Sequence, residues 1–148
     1  MSERFNLKTV TPEGNKAFGA LYHYVNGCGL ERSLIDLVYL RVSQINGCAY
    51  CVDLHWRDLL KAGNDARKIN SLVTWREAPF FSNRERAALT WTESLTNVAT
   101  THAPDDDYAA VQREFSEKEI ADLTIVIALM NAMNRVGIGS RLAPPQNP

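Results

Sequence analysis

Two thiols and an imidazole stand at Cys-x-x-Cys-x-x-x-His spacing in the run Asn46-Gly47-Cys48-Ala49-Tyr50-Cys51-Val52-Asp53-Leu54-His55. Asn46-Gly47 reads as a break and the cysteines as the start of a helix. At about 100° per residue, Cys48, Cys51 and His55 then fall on one side of that helix. Cys51 and His55 are one turn apart, so a base can reach a thiol. The thiolate is the nucleophile, and both a helix N-terminus and a nearby imidazole favour it over the thiol. Two cysteines three positions apart can also close a disulfide once one of them has been oxidised. The chemistry these residue types predict is redox chemistry.

The elements that must position them are helical almost throughout. Thr11-Pro12 opens a first helix in the cap-then-proline manner, with Phe18, Leu21, Tyr22 and Val25 as its apolar face, and it stops near Gly27 or Gly29. A second helix starts around Ser33, where Leu34, Leu37, Val38, Val42 and Ile45 follow the spacing of a buried stripe. The cysteine helix runs from about Cys48 to Ala62, and Gly63 suits the left-handed position beyond its end. A short segment from Arg67 to Trp75 reads as helix too. Ser82-Asn83-Arg84-Glu85 and Ser116-Glu117-Lys118-Glu119 are capping-box signatures. The first leads into Ala88, Trp91, Leu95 and Val98, the second into Ile120, Leu123, Ile127 and Met130, both at helical intervals. Between them, Pro104-Asp105-Asp106-Asp107 starts a short helix expected to carry Tyr108, Val111 and Phe115 inward. Thr124-Ile125-Val126-Ile127 is rich in β-branched residues, but its capped flanks favour helix. The expectation is an all-α fold of about six to eight helices in one domain over residues 1–148, with an extended or disordered tail at 142–148.

Composition narrows the function classes. The 148 residues are 45% hydrophobic, enough for a substantial core without a disulfide scaffold. With 16 Lys plus Arg against 17 Asp plus Glu, and no basic stripe, nucleic acid is excluded as an expected partner. The segment Met1 to Lys8 has no apolar stretch of signal-peptide length, so a cytoplasmic location is expected. In that reducing compartment, three cysteines argue against a structural disulfide framework and for catalysis or metal binding. The longest apolar run, Ile120 to Met133, is interrupted by Asp122 and Asn131 and is too short to span a bilayer. It reads as a buried helix, and no membrane partner is expected.

Four stretches resemble the alkylhydroperoxidase D-like (AhpD-like) group of the carboxymuconolactone decarboxylase superfamily. They are Leu37 through His55, Trp75-Arg76-Glu77, Glu85-Arg86-Ala87-Ala88-Leu89, and Phe115-Ser116-Glu117-Lys118-Glu119 onward to Asn131 and Asn134-Arg135. The first is the specific one. The resemblance implies an all-helical, homo-oligomeric fold with thiol-dependent peroxidase activity. It also implies a proton relay between the histidine and a glutamate twelve residues before the first cysteine. Asp36 occupies that position, shorter by about 1.5 Å, so the relay is expected either to use a bridging water or to be weaker. Where some relatives have a second histidine between the cysteines, this chain has Tyr50. Cys48 lies closer to the helix start, but Cys51 is one turn from His55 and is the one the resemblance favours. Cys51 is therefore assigned as peroxidatic nucleophile, Cys48 as resolving thiol, His55 as general base and Asp36 as relay carboxylate. Hydroperoxide is the expected substrate, and no bound cofactor is called for. The expected reductant is an external dithiol of lipoyl or thioredoxin type.

Other readings stand beside this one. The cluster could serve as a disulfide reductase or as a non-enzymatic redox-responsive oligomer. Cys48, Cys51 and His55 could also ligate zinc, with Asp36 or water as the fourth ligand, but no second Cys-x-x-Cys or His-x-x-x-His closes such a site. Cys28, in a Gly27-Cys28-Gly29 turn, reads as an incidental thiol. His23 and His102 read as surface residues, and Asp105 to Asp107 as helix-start carboxylates. Trp56, Trp75 and Trp91 read as packing or contact residues. Tyr50 is open between core and substrate path, and Arg135 between surface cation and interface partner.

Overall fold

Leu34, Ile35, Leu37, Val38, Tyr39, Leu40 and Val42 are all buried, so one helix is apolar on every side rather than along a stripe. Such a helix must be covered all round, and the rest of the chain covers it. The computed structural model describes residues 2–146. Its helices are α1 Leu7–Val10, α2 Pro12–Gly27, α3 Arg32–Asn46, α4 Ala49–Lys61 and α5 Ala66–Asn70. A 3-10 turn at Ser71–Thr74 precedes α6 Asn83–Thr96, α7 Val98–Thr101, α8 Asp105–Gln112 and α9 Glu117–Ser140. No strand occurs among the described residues. The central helix is α3, which packs on α4, α6 and α9.

Two groups of core residues lie around it. One joins Val25, Val38, Tyr39, Trp91, Phe115, Ile127 and Met130, from α2, α3, α6, α9 and the end of the α8 region. The other joins Leu37, Leu40, Leu59, Leu72, Trp75, Phe81 and Leu89, and supports the outer side of α4. At 24 residues α9 is longer than the apolar run the sequence singles out, and it is long and apolar enough to cross a membrane by composition. Here it packs against α2, α3 and α6, with Asp122, Asn134 and Ser140 buried on it.

Local signals account for most boundaries. Both capping boxes form: Ser82 accepts from the Glu85 N–H and Ser116 from the Glu119 N–H, with each glutamate returning to its cap backbone. The β-branched stretch at Thr124 is helical, as its flanks require. The helix count exceeds the expected range because α1 and α7 are four-residue turns with no buried residue, hence no apolar period to detect. Tyr108 departs from expectation. It stays 37% exposed and leans on Trp91 with ring centroids 5.7 Å apart, while Val111 and Phe115 go inward. Residues 142–146 carry no helix, and the last two residues of the expected tail, 147 and 148, lie outside the described residues.

The turn that delivers the cysteines rests on Gly47. Its φ of 73° is left-handed, and the N–H groups of Gly47 and Cys48 both return to the Ser43 carbonyl. Cys48 then caps α4, its carbonyl accepting from the Val52 N–H at 2.9 Å. An added Cβ at Gly47 meets nothing within 4 Å, so the penalty for a side chain there is purely one of backbone conformation. Gly47→Ala is expected to lower stability by about 1 kcal/mol. Urea unfolding of the oxidised protein measures it.

Candidate active site

Cys48 and Cys51 form a disulfide at the start of α4, with Cα atoms 5.3 Å apart. Cys48 is the residue before the first helical turn and Cys51 lies within that turn, where unpaired N–H groups stabilise negative charge. Both sulfurs are buried. Above them stands Gly137 of α9: a Cβ there would lie 3.2 Å from the Cys48 sulfur and 3.6 Å from that of Cys51. With no side chain at 137, α9 passes this close without the Cys48 sulfur having to shift.

One turn after Cys51, His55 is 4% exposed, and its ring sits 5.0 Å from that of Tyr39. The Nδ1 atom has no hydrogen-bond partner among the described residues, and neither does the Tyr39 hydroxyl. Burial lowers the imidazole pKa to about 4, with Asp58 pulling it back up and Arg32 adding to the depression. His55 is therefore neutral at pH 7 with an open lone pair, although the same burial weakens its hold on a proton. Burial also pushes the Tyr22 hydroxyl up to about 12, leaving it a neutral wall of the site.

Asp36 is buried on α3, but its direct partner is Arg32, one turn earlier. Arg32 Nε donates to Oδ2 at 2.9 Å and Nη2 lies 2.8 Å from Oδ1. The second contact is close yet poorly aligned, so Oδ1 is left without a directional hydrogen bond. Burial raises the Asp36 pKa above the usual carboxylate value, and the Arg32 guanidinium opposes the rise. His55, Asp36 and Asp58 each bring a nitrogen or oxygen within 4.8 Å of the others. Asp58 Oδ2 is 3.7 Å from His55 Nδ1, so the ring touches neither carboxylate directly. Asp58 and Arg32 escaped the sequence reading, although each sits three or four positions from a residue it singled out.

Cys51 and His55 open onto one cavity of about 330 Å³, whose other walls include Tyr22, Tyr50, Met130 and Met133. Cys48 is not among its lining residues. The cavity is roofed by the N-terminal segment through Phe5 and Leu7. That segment is tied down by Arg4, whose N–H donates to the Ser140 carbonyl at 2.8 Å and whose guanidinium donates to the Gly139 carbonyl at 3.2 Å. Tyr50 thus lines a path to Cys51.

The turn before Cys48 is held by amides. Asn46 Nδ2 donates to the side-chain oxygens of Asn131 and Asn134, both at 3.0 Å, and Asn134 donates to Ser43 Oγ at 3.1 Å. The stretches around Trp75 and Arg86 serve architecture. Glu93 accepts from Trp75 Nε1 and Arg41, both at 2.8 Å, and from Arg76. Burial works against ionised Glu93, yet these donors hold its carboxyl below the usual range. Arg86 donates to the carbonyls of Trp75, Arg76, Ala78 and Phe81, clamping the loop before α6.

Away from the site, Cys28 is a free, half-buried thiol at the end of α2. His23 and His102 are exposed, Asp105 to Asp107 form the first turn of α8, and Arg135 donates to the Asn131 carbonyl at 2.8 Å. Trp75 and Trp91 are buried, whereas Trp56 is 43% exposed.

Residues 12–94 match the model of the Carboxymuconolactone decarboxylase family. The uncharacterized protein YdfG of Bacillus subtilis (strain 168) is 35% identical over 145 residues, covering 97% of this chain and 99% of YdfG. One crystal structure is that of ATU0492 from Agrobacterium tumefaciens, a protein of unknown function with a suggested identity as the antioxidant defence protein AhpD. It superposes with a TM-score of 0.95 at 40% identity, over 97% of this chain and 99% of that one. The debrominase Bmp8 shares the fold at a TM-score of 0.81 and 20% identity, over 91% of this chain and 73% of that one.

Two expectations follow from the site. The unfolded chain protonates His55 near its ordinary pKa of about 6.5, whereas the folded chain resists until about pH 4. Protons therefore bind the unfolded state first, and the stability present above pH 6.5 is lost as pH falls toward 4. Between pH 7 and 4.5, wild type should lose about 2 kcal/mol more than His55→Gln, read by urea unfolding. The second expectation contrasts two glycines of α9. Gly139→Ala meets nothing within 4 Å and should raise stability by about 0.5–1 kcal/mol. Gly137→Ala should gain little, because its methyl crowds the Cys48 sulfur while merely touching that of Cys51, and should slow oxidation of the reduced pair. Thermal unfolding and stopped-flow thiol loss compare them.

Proposed function

The chain belongs to the carboxymuconolactone decarboxylase family, and within it we propose that this protein is an AhpD-like, thiol-dependent peroxidase. The single observation that carries this reading is the disulfide-bonded Cys48–Cys51 pair with Cys51 and a neutral His55 on one cavity. In the reduced protein, His55 takes the Cys51 proton, and the thiolate attacks the terminal oxygen of a hydroperoxide. The O–O bond breaks, Cys51 becomes a sulfenic acid, and the departing alkoxide takes a proton from the imidazolium. Cys48 attacks the sulfenic sulfur, expelling water and closing the disulfide. An external dithiol supplies the two electrons that reopen it.

Asp36 and Asp58 favour the transient imidazolium through space. A bridging water spans a separation such as that between Asp36 and the ring. A largely apolar cavity suits an organic hydroperoxide, and a reducing cytoplasm suits a pair that must be reopened each cycle.

Peroxide consumption with dihydrolipoamide or dithiothreitol as donor tests the reading. Cys51→Ser should lose at least about 100-fold, and Cys48→Ser should stop after one oxidation with a sulfenic acid that dimedone captures at Cys51. Undiminished turnover in Cys51→Ser would show the wrong sulfur assigned. A pair that opens and closes without steady-state turnover would mark a redox switch.

A further inference from the structure

Two carboxylates lie near His55, and they are not equally free. On α3, Arg32 is tied on one side to Asn26, donating from Nη1 to Oδ1 at 2.6 Å, and on the other to Asp36 through Nε and Nη2. Both oxygens of Asp36 therefore face one guanidinium. Its carboxyl is buried, and burial raises its pKa despite that cation. Asp36 answers Arg32 before it answers the ring. Asp58 is placed differently. It follows His55 by three positions on α4, with Oδ2 3.7 Å from Nδ1 and a side chain 31% exposed. Among the described residues, no lysine or arginine forms an ion pair with it.

We propose that Asp58, rather than Asp36, is the carboxylate that serves His55, a positioning residue that holds the ring proton on Nδ1 and leaves the Nε2 lone pair for Cys51. The inference rests on His55 acting as the base in the reading above, and it adds which carboxylate aims that base. A neutral imidazole carries one proton on either nitrogen, and an acceptor beside Nδ1 selects that nitrogen. Nδ1 has no hydrogen-bond partner, and Asp58 is exposed enough to turn. Closing the gap to hydrogen-bond range takes a shift of about 1 Å. When Cys51 gives up its proton, the S–H bond breaks and an N–H bond forms at Nε2. The positive charge of the ring then rests beside the Asp58 carboxylate. Asp58 is also the charge that raises the His55 pKa against burial, whereas Arg32 lowers it. Of the other titratable groups around the ring, Tyr22 on α2 and Tyr39 on α3 are kept protonated by burial. Tyr50, with Glu3 and Lys8 of opposite charge, lines the cavity, and α9 brings no titratable side chain to it among the described residues.

Nitrogen–proton correlation spectra of the reduced full-length protein with isotope-labelled histidine read the tautomer directly, the His55 signals being those lost in His55→Gln. The expected result is a proton on Nδ1 in wild type, moved to Nε2 in Asp58→Ala, returned to Nδ1 in Asp58→Glu and unmoved in Asp36→Asn. A wild-type ring protonated at Nε2, or a proton that stays in place in Asp58→Ala, would overturn the inference. So would a shift caused by Asp36→Asn. Stopped-flow thiol loss with hydrogen peroxide adds a kinetic arm. At pH 7, Asp58→Ala should react about tenfold more slowly than wild type. At about pH 9.5, where a thiol of ordinary pKa ionises without a base, the two should agree within about twofold. An equal deficit at both pH values would mark a merely structural role and overturn the inference. A wild-type Cys51 that ignores peroxide would instead sink the peroxidase reading, and the tautomer, measured without peroxide, would still decide between the two carboxylates.

Discussion

The amide of Asn46, held between Asn131 and Asn134, is the contact on which the placement of the site depends. Asn134 is fully buried, and a buried amide without partners is strongly unfavourable, so this arrangement admits few alternatives. It locks the last turn of α3 to the middle of α9. The Gly47 turn begins where that lock ends, and it launches Cys48 and α4. Asn134 and Gly137 are one turn apart on α9, so the same helix that fixes the turn also presents its bare backbone to the sulfurs. Position and clearance thus come from one docking event.

Around that lock, polar side chains divide into two kinds. Glu93 and Arg86 are saturated with partners and brace the loop that supports the outer side of α4. His55 and Tyr39 are buried with polar atoms left unmatched. Groups of the first kind stabilise a shape, whereas the second kind carry a standing penalty that a fold tolerates where chemistry needs it. The burial that keeps His55 neutral is the same burial that denies it a partner.

Much of this was legible in the chain itself. Capping boxes at Ser82 and Ser116 are local devices, and they mark helix starts wherever the rest of the fold goes. The register of Cys48, Cys51 and His55 is likewise a property of one helix and its cap. Gly137 could not be found this way, because its importance arises from two sulfurs 86 and 89 positions earlier in the chain. Arg32 and Asp58 lie at helical spacing from Asp36 and His55, a signal present in the sequence but shared by many surface pairs. Tyr108 was misplaced because an aromatic on a short helix can lean across a neighbour and stay wet. The turns α1 and α7 bury nothing, so no periodicity betrays them.

The roof over the Cys51 cavity comes from a stretch of chain that contributes no buried side chain to either core group and is fastened chiefly through Arg4. Selection can therefore rewrite this stretch with little effect on foldability. Lengthening, shortening or repainting it would alter which molecules gain admission while sulfurs and imidazole stay where they are. Divergence in diet among proteins of this architecture should accordingly concentrate in the segment that covers this cavity, with the two sulfurs and the imidazole retained.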